Sequence, residues 1–303
     1  MNAPALEKVD CPLLLARIGN TPLVPITSPN ARVQILGKAE WFNPGGSVKD
    51  RAGRAIFETA IADGRMTRAK ILLDATSGNT GIAYAMVGAA LGYRVALVMP
   101  ENVSDERKKI VRAYGAELIV SDPLEGSDGA IRVARELAQD ATKFFYADQY
   151  NNDANWRAHY ETTAPEIWEQ TRGRVTHFVA GVGTSGTLMG TGRRLKELNR
   201  AIQLIEVQPA DELQVIEGLK YMASSIVPGI YDAQIADRHI AIDTDAAYRE
   251  THRAARAEGL FVGLSAGAAI AAARQIAAEI ETGIVVVVLP DGGDRYLSTA
   301  LWQ

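Results

Sequence analysis

Seven short runs of β-branched and aliphatic residues, spaced along the chain with longer stretches of helical periodicity between them, narrow the possible folds most. The runs are "RVQILGKAE", "ILLDA", "RVALVMP", "ELIVS", "THFVAGV", "IQLIEVQP" and "GIVVVVLP". Between them "RAGRAIFETAIADGR", "GIAYAMVGAALG", "SDERKKIVRAYG" and "DGAIRVARELAQ" repeat apolar residues at helical spacing. Strands that are apolar on both faces and alternate with helices predict an α/β chain: parallel sheets with helices packed on either side. With 303 residues, 47% of them hydrophobic, the chain can fill two such cores and form a cleft between them. The regularity lapses at "FNPGG" from Phe42 and at "DQYNNDAN" from Asp148, the two natural domain junctions. In such sheets ligands bind beyond the carboxyl ends of the strands, so the loops there are where chemistry is expected.

The charge balance excludes several classes of function. Net charge is −4, with 32 basic and 36 acidic residues intermixed, so no basic face is set aside for nucleic acid or an anionic membrane. The single cysteine, Cys11, excludes an internal disulfide framework and fits a reducing cytoplasm, where it reads as a bystander. The opening residues lack the basic start and long apolar core of a signal peptide, and "IVVVVL" from Ile284 is too short to span a bilayer. A cytoplasmic location is expected.

Three loops carry chemistry. In "FVAGVGTSGT", residues 178–187, Gly181, Gly183 and Gly186 spell G-x-G-x-x-G between a strand and a helix. That fingerprint suits either a dinucleotide or another phosphate, and Glu206 stands twenty residues on, where a ribose-binding carboxylate is expected. "NPGGSVKDR", residues 43–51, combines loop breakers with a helix start. Ser47 and Asp50 form a capping-box pattern, which puts Lys49 in the first turn. The positive end of the helix dipole disfavours an ammonium there and makes a free amine or Schiff base more accessible. "ATSGNTG", residues 75–81, follows "ILLDA" and opens a helix, so its hydroxyls and main-chain amides can converge on an anion. Two anion loops and a lysine of lowered proton affinity describe a ligand with two anionic ends and an electrophilic carbon between them. Pyridoxal phosphate joined to an amino acid has this form. "GLSAG", residues 263–267, matches the hydrolase nucleophile elbow, but that fold needs a histidine after the serine, and His159, His177, His239 and His252 all precede Ser265. No histidine falls in a metal-binding spacing, and none is expected to be a ligand.

Taken in order, "NPGGSVKDR", "TSGNTG", "GVGTSGT", "GLSAG" and the terminal "GDRYLST" resemble the cysteine synthases, or O-acetylserine sulfhydrylases. "PDGGDRYLST", with Asp291 and Asp294, is nearer the B-type enzymes. The resemblance implies the type II pyridoxal phosphate fold, similar to the tryptophan synthase β chain, with two doubly wound sheet domains. The smaller domain would span 43–153, and the larger 1–42 with 154–303. The resemblance makes Lys49 the Schiff-base lysine and puts the cofactor phosphate on Gly183, Thr184, Ser185, Gly186 and Thr187. Asn79 falls beside the cofactor's phenolic oxygen and Ser265 against the pyridine nitrogen; Thr76, Ser77, Gly78, Thr80 and Gln149 take the substrate carboxylate. On this reading Glu206 is coincidence. Lys220 in "EGLKYMASS" falls where phosphoserine-using relatives carry an arginine: a cation able to meet a phosphate, whose bland counterpart is a solvated lysine on a loop. The implied reaction is β-replacement, in which a sulfur nucleophile such as sulfide displaces the leaving group of O-acetyl-L-serine, with O-phospho-L-serine as a second donor. A type II serine or threonine dehydratase, a cystathionine β-synthase-like enzyme and a non-catalytic binding homologue are the alternatives. A homodimer is implied as well.

Overall fold

The computed structural model describes residues 12–76 and 78–303, so Cys11 and Ser77 lie outside the described residues. In chain order, α1 (Pro12–Leu15) precedes β1 (Leu23–Ile26), β2 (Val33–Ala39) and α2 (Lys49–Ala62). There follow β3 (Ile71–Ala75), α3 (Asn79–Leu91), β4 (Arg94–Pro100), α4 (Asp105–Ala113), β5 (Glu117–Ser121), α5 (Gly126–Leu137) and β6 (Phe144–Tyr146). The remainder comprises α6 (Asp153–Ala158), α7 (Ala164–Gln170), β7 (His177–Gly181), α8 (Gly186–Leu198), β8 (Gln203–Pro209), β9 (Arg238–Ile242), α9 (Thr244–Glu258), α10 (Leu264–Glu279) and β10 (Gly283–Leu289).

Two sheets result. The smaller has the order β5-β4-β3-β6 and is parallel throughout; the larger has the order β1-β2-β10-β7-β8-β9 and is parallel except where β1 meets β2. Their central strands are buried on both sides. Along β3, Leu72 packs into a core with Ile56, Phe57 and Met86, while Ile71 and Leu73 enter a second core with Ile131 and Ala134. β10 repeats the pattern: Val285, Val287 and Leu289 face the alanine-rich α10, and Ile284, Val286 and Val288 face Leu188 and Leu195 of α8. The period-two alternation thus sends every second residue to the opposite face, and both faces need apolar side chains. α10 lies against α9 so closely that a Cβ at Gly267 would come within 1.9 Å of Thr251 Oγ1. "GLSAG", residues 263–267, is therefore a helix-crossing device, and Ser265 stands on the first turn of α10.

The strand order positions the site. In the smaller sheet the chain winds outward from β3 through β4 to β5, then returns to place β6 on the other side of β3. The loops after β3 and β6 therefore diverge and leave a crevice at the carboxyl ends of those strands. In the larger sheet the reversal falls between β7 and β10, where the loops after those strands open a second crevice.

Candidate active site

All three loops meet in one cleft of about 420 Å³, which also takes in Gln149, Lys220 and Ser265. Lys49 is the first residue of α2 and stands half-buried in this cleft. Burial pushes its ammonium below the usual lysine pKa, against the opposing attraction of Asp291 and Glu40. Among the described residues none accepts a hydrogen bond from its Nζ. The expected capping box does not form: the Ser47 hydroxyl accepts from the Lys49 amide at 3.3 Å, and Asp50 reaches the Gly45 amide at 2.5 Å instead of the Ser47 amide. The close Gly45-Gly46 turn draws the carboxylate to itself, because Gly46 takes a left-handed φ of 77° and folds the loop back over the helix start. Burial pushes the Asp50 carboxyl up to about 7. The lysine loop is pinned to the larger sheet by the Val48 amide on the Pro290 carbonyl at 2.8 Å.

Behind the lysine lies a buried charge cluster that the sequence did not reveal. The Arg51 guanidinium bonds both oxygens of Glu40 at 2.8 Å and both oxygens of Glu166 at 2.7 Å, while Lys38 meets Glu166 at 2.7 Å. Arg51 and Lys38 hold Glu40 down at about 2 despite its burial. The first turn of α2 is thereby fixed from below.

In the carboxylate loop, Thr76 Oγ1 accepts the amides of Gly78 and Gly81 at 3.1 Å each and so shapes the start of α3. Thr80 donates to Gln149 Oε1 at 2.7 Å, and Gln149 Nε2 donates to the Ala75 carbonyl at 2.6 Å. The structure therefore brings Thr76, Gly78, Thr80 and Gln149 together; Ser77 is outside the described residues. Asp74, fully buried beneath them, accepts from Tyr84 at 3.0 Å and from the Gln149 amide at 3.2 Å, and burial pushes it up to about 7. Asn79 bridges to the other side of the cleft: its amide donates to Asp291 at 2.7 Å and its oxygen accepts from Arg295.

The glycine loop fits a phosphate. Ser185 takes a left-handed φ of 69° that a non-glycine residue rarely adopts, and its buried hydroxyl has no hydrogen-bond partner among the described residues. Gly183 packs on the Gly218 carbonyl, and Gly186 on Asn155, so close that a Cβ would stand 2.3 Å and 2.1 Å from the respective oxygens. The loop's main chain is thus left bare at the N-terminus of α8, where unpaired amides favour an anion. Asn155 donates to Thr184 at 3.0 Å, and His159 Nε2 lies 3.3 Å from the Thr187 hydroxyl. His159 opens a single π-helical turn, 159–163, and burial drives its pKa down to about 3, so the ring is neutral. Asn155 ends the polar stretch that the sequence offered only as a junction, and His159 stands four residues beyond it. An orphaned hydroxyl, a bare main chain and a nearby lysine are the donor set that pyridoxal phosphate requires.

Two sequence expectations resolve differently. Glu206 is buried and accepts from Tyr231 at 3.0 Å and from Gln208, so it is committed within the larger sheet. Lys220 is neither solvated nor free: it is 8% exposed, salt-bridged to Asp128 at 2.8 Å and seated 5.0 Å from the Tyr150 ring centre. Among the described residues no group of three His, Cys, Asp or Glu side chains could hold a metal ion, and no helix is long and apolar enough to cross a membrane.

Fold and site together define a pyridoxal-phosphate dependent enzyme, and the family model of that description matches residues 14–291. A cysteine synthase of Aquifex aeolicus is 54% identical over 301 residues, covering 96% of this chain and 92% of the relative. Cysteine synthase B of Escherichia coli is 42% identical over 287 residues, with 94% of each chain covered. The crystal structure of a cysteine synthase from Entamoeba histolytica matches with a TM-score of 0.90 at 37% identity, covering 100% of this chain and 93% of that one. The chain belongs to the cysteine synthase family.

Proposed function

We propose that the protein makes L-cysteine by β-replacement, sulfide taking the place of the acetoxy group of O-acetyl-L-serine and acetate leaving. The observation that carries this reading is the convergence of the lysine, the carboxylate loop and the phosphate-type loop on one cleft. Pyridoxal phosphate, when bound, supplies an electron sink for the substrate's α-carbon. The chain's own residues do the rest. Gly183, Thr184, Ser185, Gly186 and Thr187 would hold the phosphate, which would give the buried Ser185 hydroxyl a partner. Lys49 would carry the cofactor on an amine whose proton affinity burial has already lowered, and that amine, once free, would move the substrate's α-proton. The hydroxyls and amides of 76–80 receive the substrate carboxylate. Its arrival exchanges the Thr80 to Gln149 bond for bonds to the ligand, which closes the loop and excludes water. Ser265 would meet the pyridine nitrogen with a neutral hydroxyl, and Asn79 would stand beside the cofactor's phenolic oxygen. A cytoplasmic homodimer completes the reading.

Purified protein supplied with O-acetyl-L-serine and sulfide tests it directly. Cysteine should form together with an equal amount of acetate. Pyruvate released without cysteine would replace the synthase with a dehydratase, and visible absorbance lost on removing the cofactor checks the prosthetic group independently.

A further inference from the structure

Three cationic side chains line the cleft among the described residues: Lys49, Arg107 and Lys220. Lys49 has the cofactor to carry. Arg107 is 5% exposed, ion-paired with Glu217, and its guanidinium sits 4.8 Å over the Tyr296 ring, so its charge is already spent within the wall. Lys220 follows the Gly218 turn and is fixed by its own amide on the Val182 carbonyl at 2.9 Å, directly beside the glycine loop. Its ammonium is claimed by Asp128, in the first turn of α5 on the smaller sheet's side. Asp128 is itself held in place, since its second oxygen accepts the Ile226 amide at 3.0 Å. The aspartate therefore cannot swing away without giving up two bonds.

We propose that Asp128 is a specificity-determining residue: by occupying Lys220 it selects donors with an uncharged β-substituent, such as an acyl ester, over donors carrying a phosphate. The inference rests on the β-replacement reading above and adds to it the reason one class of donor is preferred. A phosphate entering beside Lys220 would meet a pair of zero net charge instead of a cation, with the Asp128 carboxylate within reach to repel it. An ester meets no such penalty. Glu212, which also lines the cleft, acts in the same sense.

Replacing Asp128 by Asn keeps a carbonyl oxygen for the Ile226 amide and frees the ammonium. The ratio of kcat/KM for O-phospho-L-serine to that for O-acetyl-L-serine should rise at least tenfold in Asp128→Asn. In a Lys49→Ala background, which cannot turn over, calorimetric binding of O-phospho-L-serine to the cofactor-loaded protein should tighten by a similar factor. Both gains should vanish in Asp128→Asn/Lys220→Met, because the freed cation is then gone. A donor ratio within twofold of wild type overturns the proposal, and so does a gain that survives in the double variant, which would trace it to a loosened loop. Wild-type protein that makes no cysteine from O-acetyl-L-serine defeats the underlying reading instead, a result visible before any variant is made.

Discussion

Gly183→Ala probes the close approach on which the phosphate site depends. The new Cβ would lie 2.3 Å from the Gly218 carbonyl oxygen. Carbon and oxygen normally stay about 3.3 Å apart, so the two loops must part by about 1 Å. Neither partner is the loose end of a side chain. Gly218 sits at a left-handed φ of 91°, and the next two amides are fixed, Leu219 to Ile216 at 3.0 Å and Lys220 to Val182 at 2.9 Å. Parting the loops strains those bonds, and overpacking of this kind costs about 1–3 kcal/mol. If the loop relaxes by shifting its amides, the cost falls on cofactor binding, a loss of about 5- to 150-fold in affinity. If it holds its shape, the cost falls on folding, about 2–4 °C in Tm for each kcal/mol. Titrating apo-protein with pyridoxal phosphate by visible absorbance gives the first quantity, and calorimetry of the apo-protein gives the second. The sum of the two losses should reach at least 1 kcal/mol. A variant with unchanged cofactor affinity and unchanged apo Tm would show that the Gly183–Gly218 contact does not shape the site.

The other predictions test different parts of the arrangement. Borohydride reduction of the wild-type holoenzyme should fix the cofactor on the peptide containing Lys49, and Lys49→Ala should lose turnover while unfolding at nearly the wild-type temperature; label on another lysine refutes the assignment. Arg51→Met leaves Glu40 buried without its main partner and should cost about 3–5 kcal/mol, on the order of 10 °C in Tm. Glu40 is held at about 2, so the stability it draws from Arg51 is present above the ordinary glutamate range and lost as pH falls through 2; the variant's deficit should shrink over that interval, and a deficit independent of pH would place the loss elsewhere. Asp74 has the opposite sign: its folded pKa of about 7 lies above the unfolded value, so wild-type stability should fall as pH rises from about 4 to 7 and then level off. In urea unfolding at pH 5 and pH 8, Asp74→Asn should lack this component, gaining on wild type at the higher pH, and a constant difference would refute the shift.

The parts of this fold that were legible in the sequence are those where one physical demand acts on every residue of a segment. β3 and β4 begin and end where "ILLDA" and "RVALVMP" do, because interior strands of a parallel sheet are apolar on both faces and polar residues mark their ends; β5, at the sheet's edge, also coincides with its run "ELIVS". β1, β6 and β9 left no such trace. β1 and β9 lie at the edges of the larger sheet and β6 at an edge of the smaller. Pro25 is tolerated within β1, β6 is three residues long, and β9 exposes Arg238 and His239. The site divides in the same way. Lys49, the 76–80 loop and the glycine loop were legible because each is a local turn whose backbone needs particular small or hydroxylated residues. Asn79 with Asp291, Arg107 with Glu217, Asn155 with Thr184 and Lys220 with Asp128 were not. Those partners stand 212, 110, 29 and 92 positions apart, and nothing in the neighbourhood of one member requires the other.

Those distant pairs decide how the site is charged. Around Lys49 nearly every ionic group of the described residues is already committed: Arg295 to Asn79 and the Gly45 carbonyl, Asp291 to Asn79 and Tyr296, Arg107 to Glu217, Lys220 to Asp128. Each commitment removes a competitor for the lysine amine or for an incoming anion. Asp291 and Glu40 still attract the ammonium, yet burial outweighs them and the pKa falls. A nucleophilic amine held against two nearby carboxylates needs a helix start that does not shift, because a movement toward Asp291 would raise its proton affinity again. Arg51, anchored two residues further along α2 by both oxygens of two glutamates, supplies that immobility. The buried charge cluster behind the cleft is thus a condition of the chemistry in front of it, although none of its members lines the cleft.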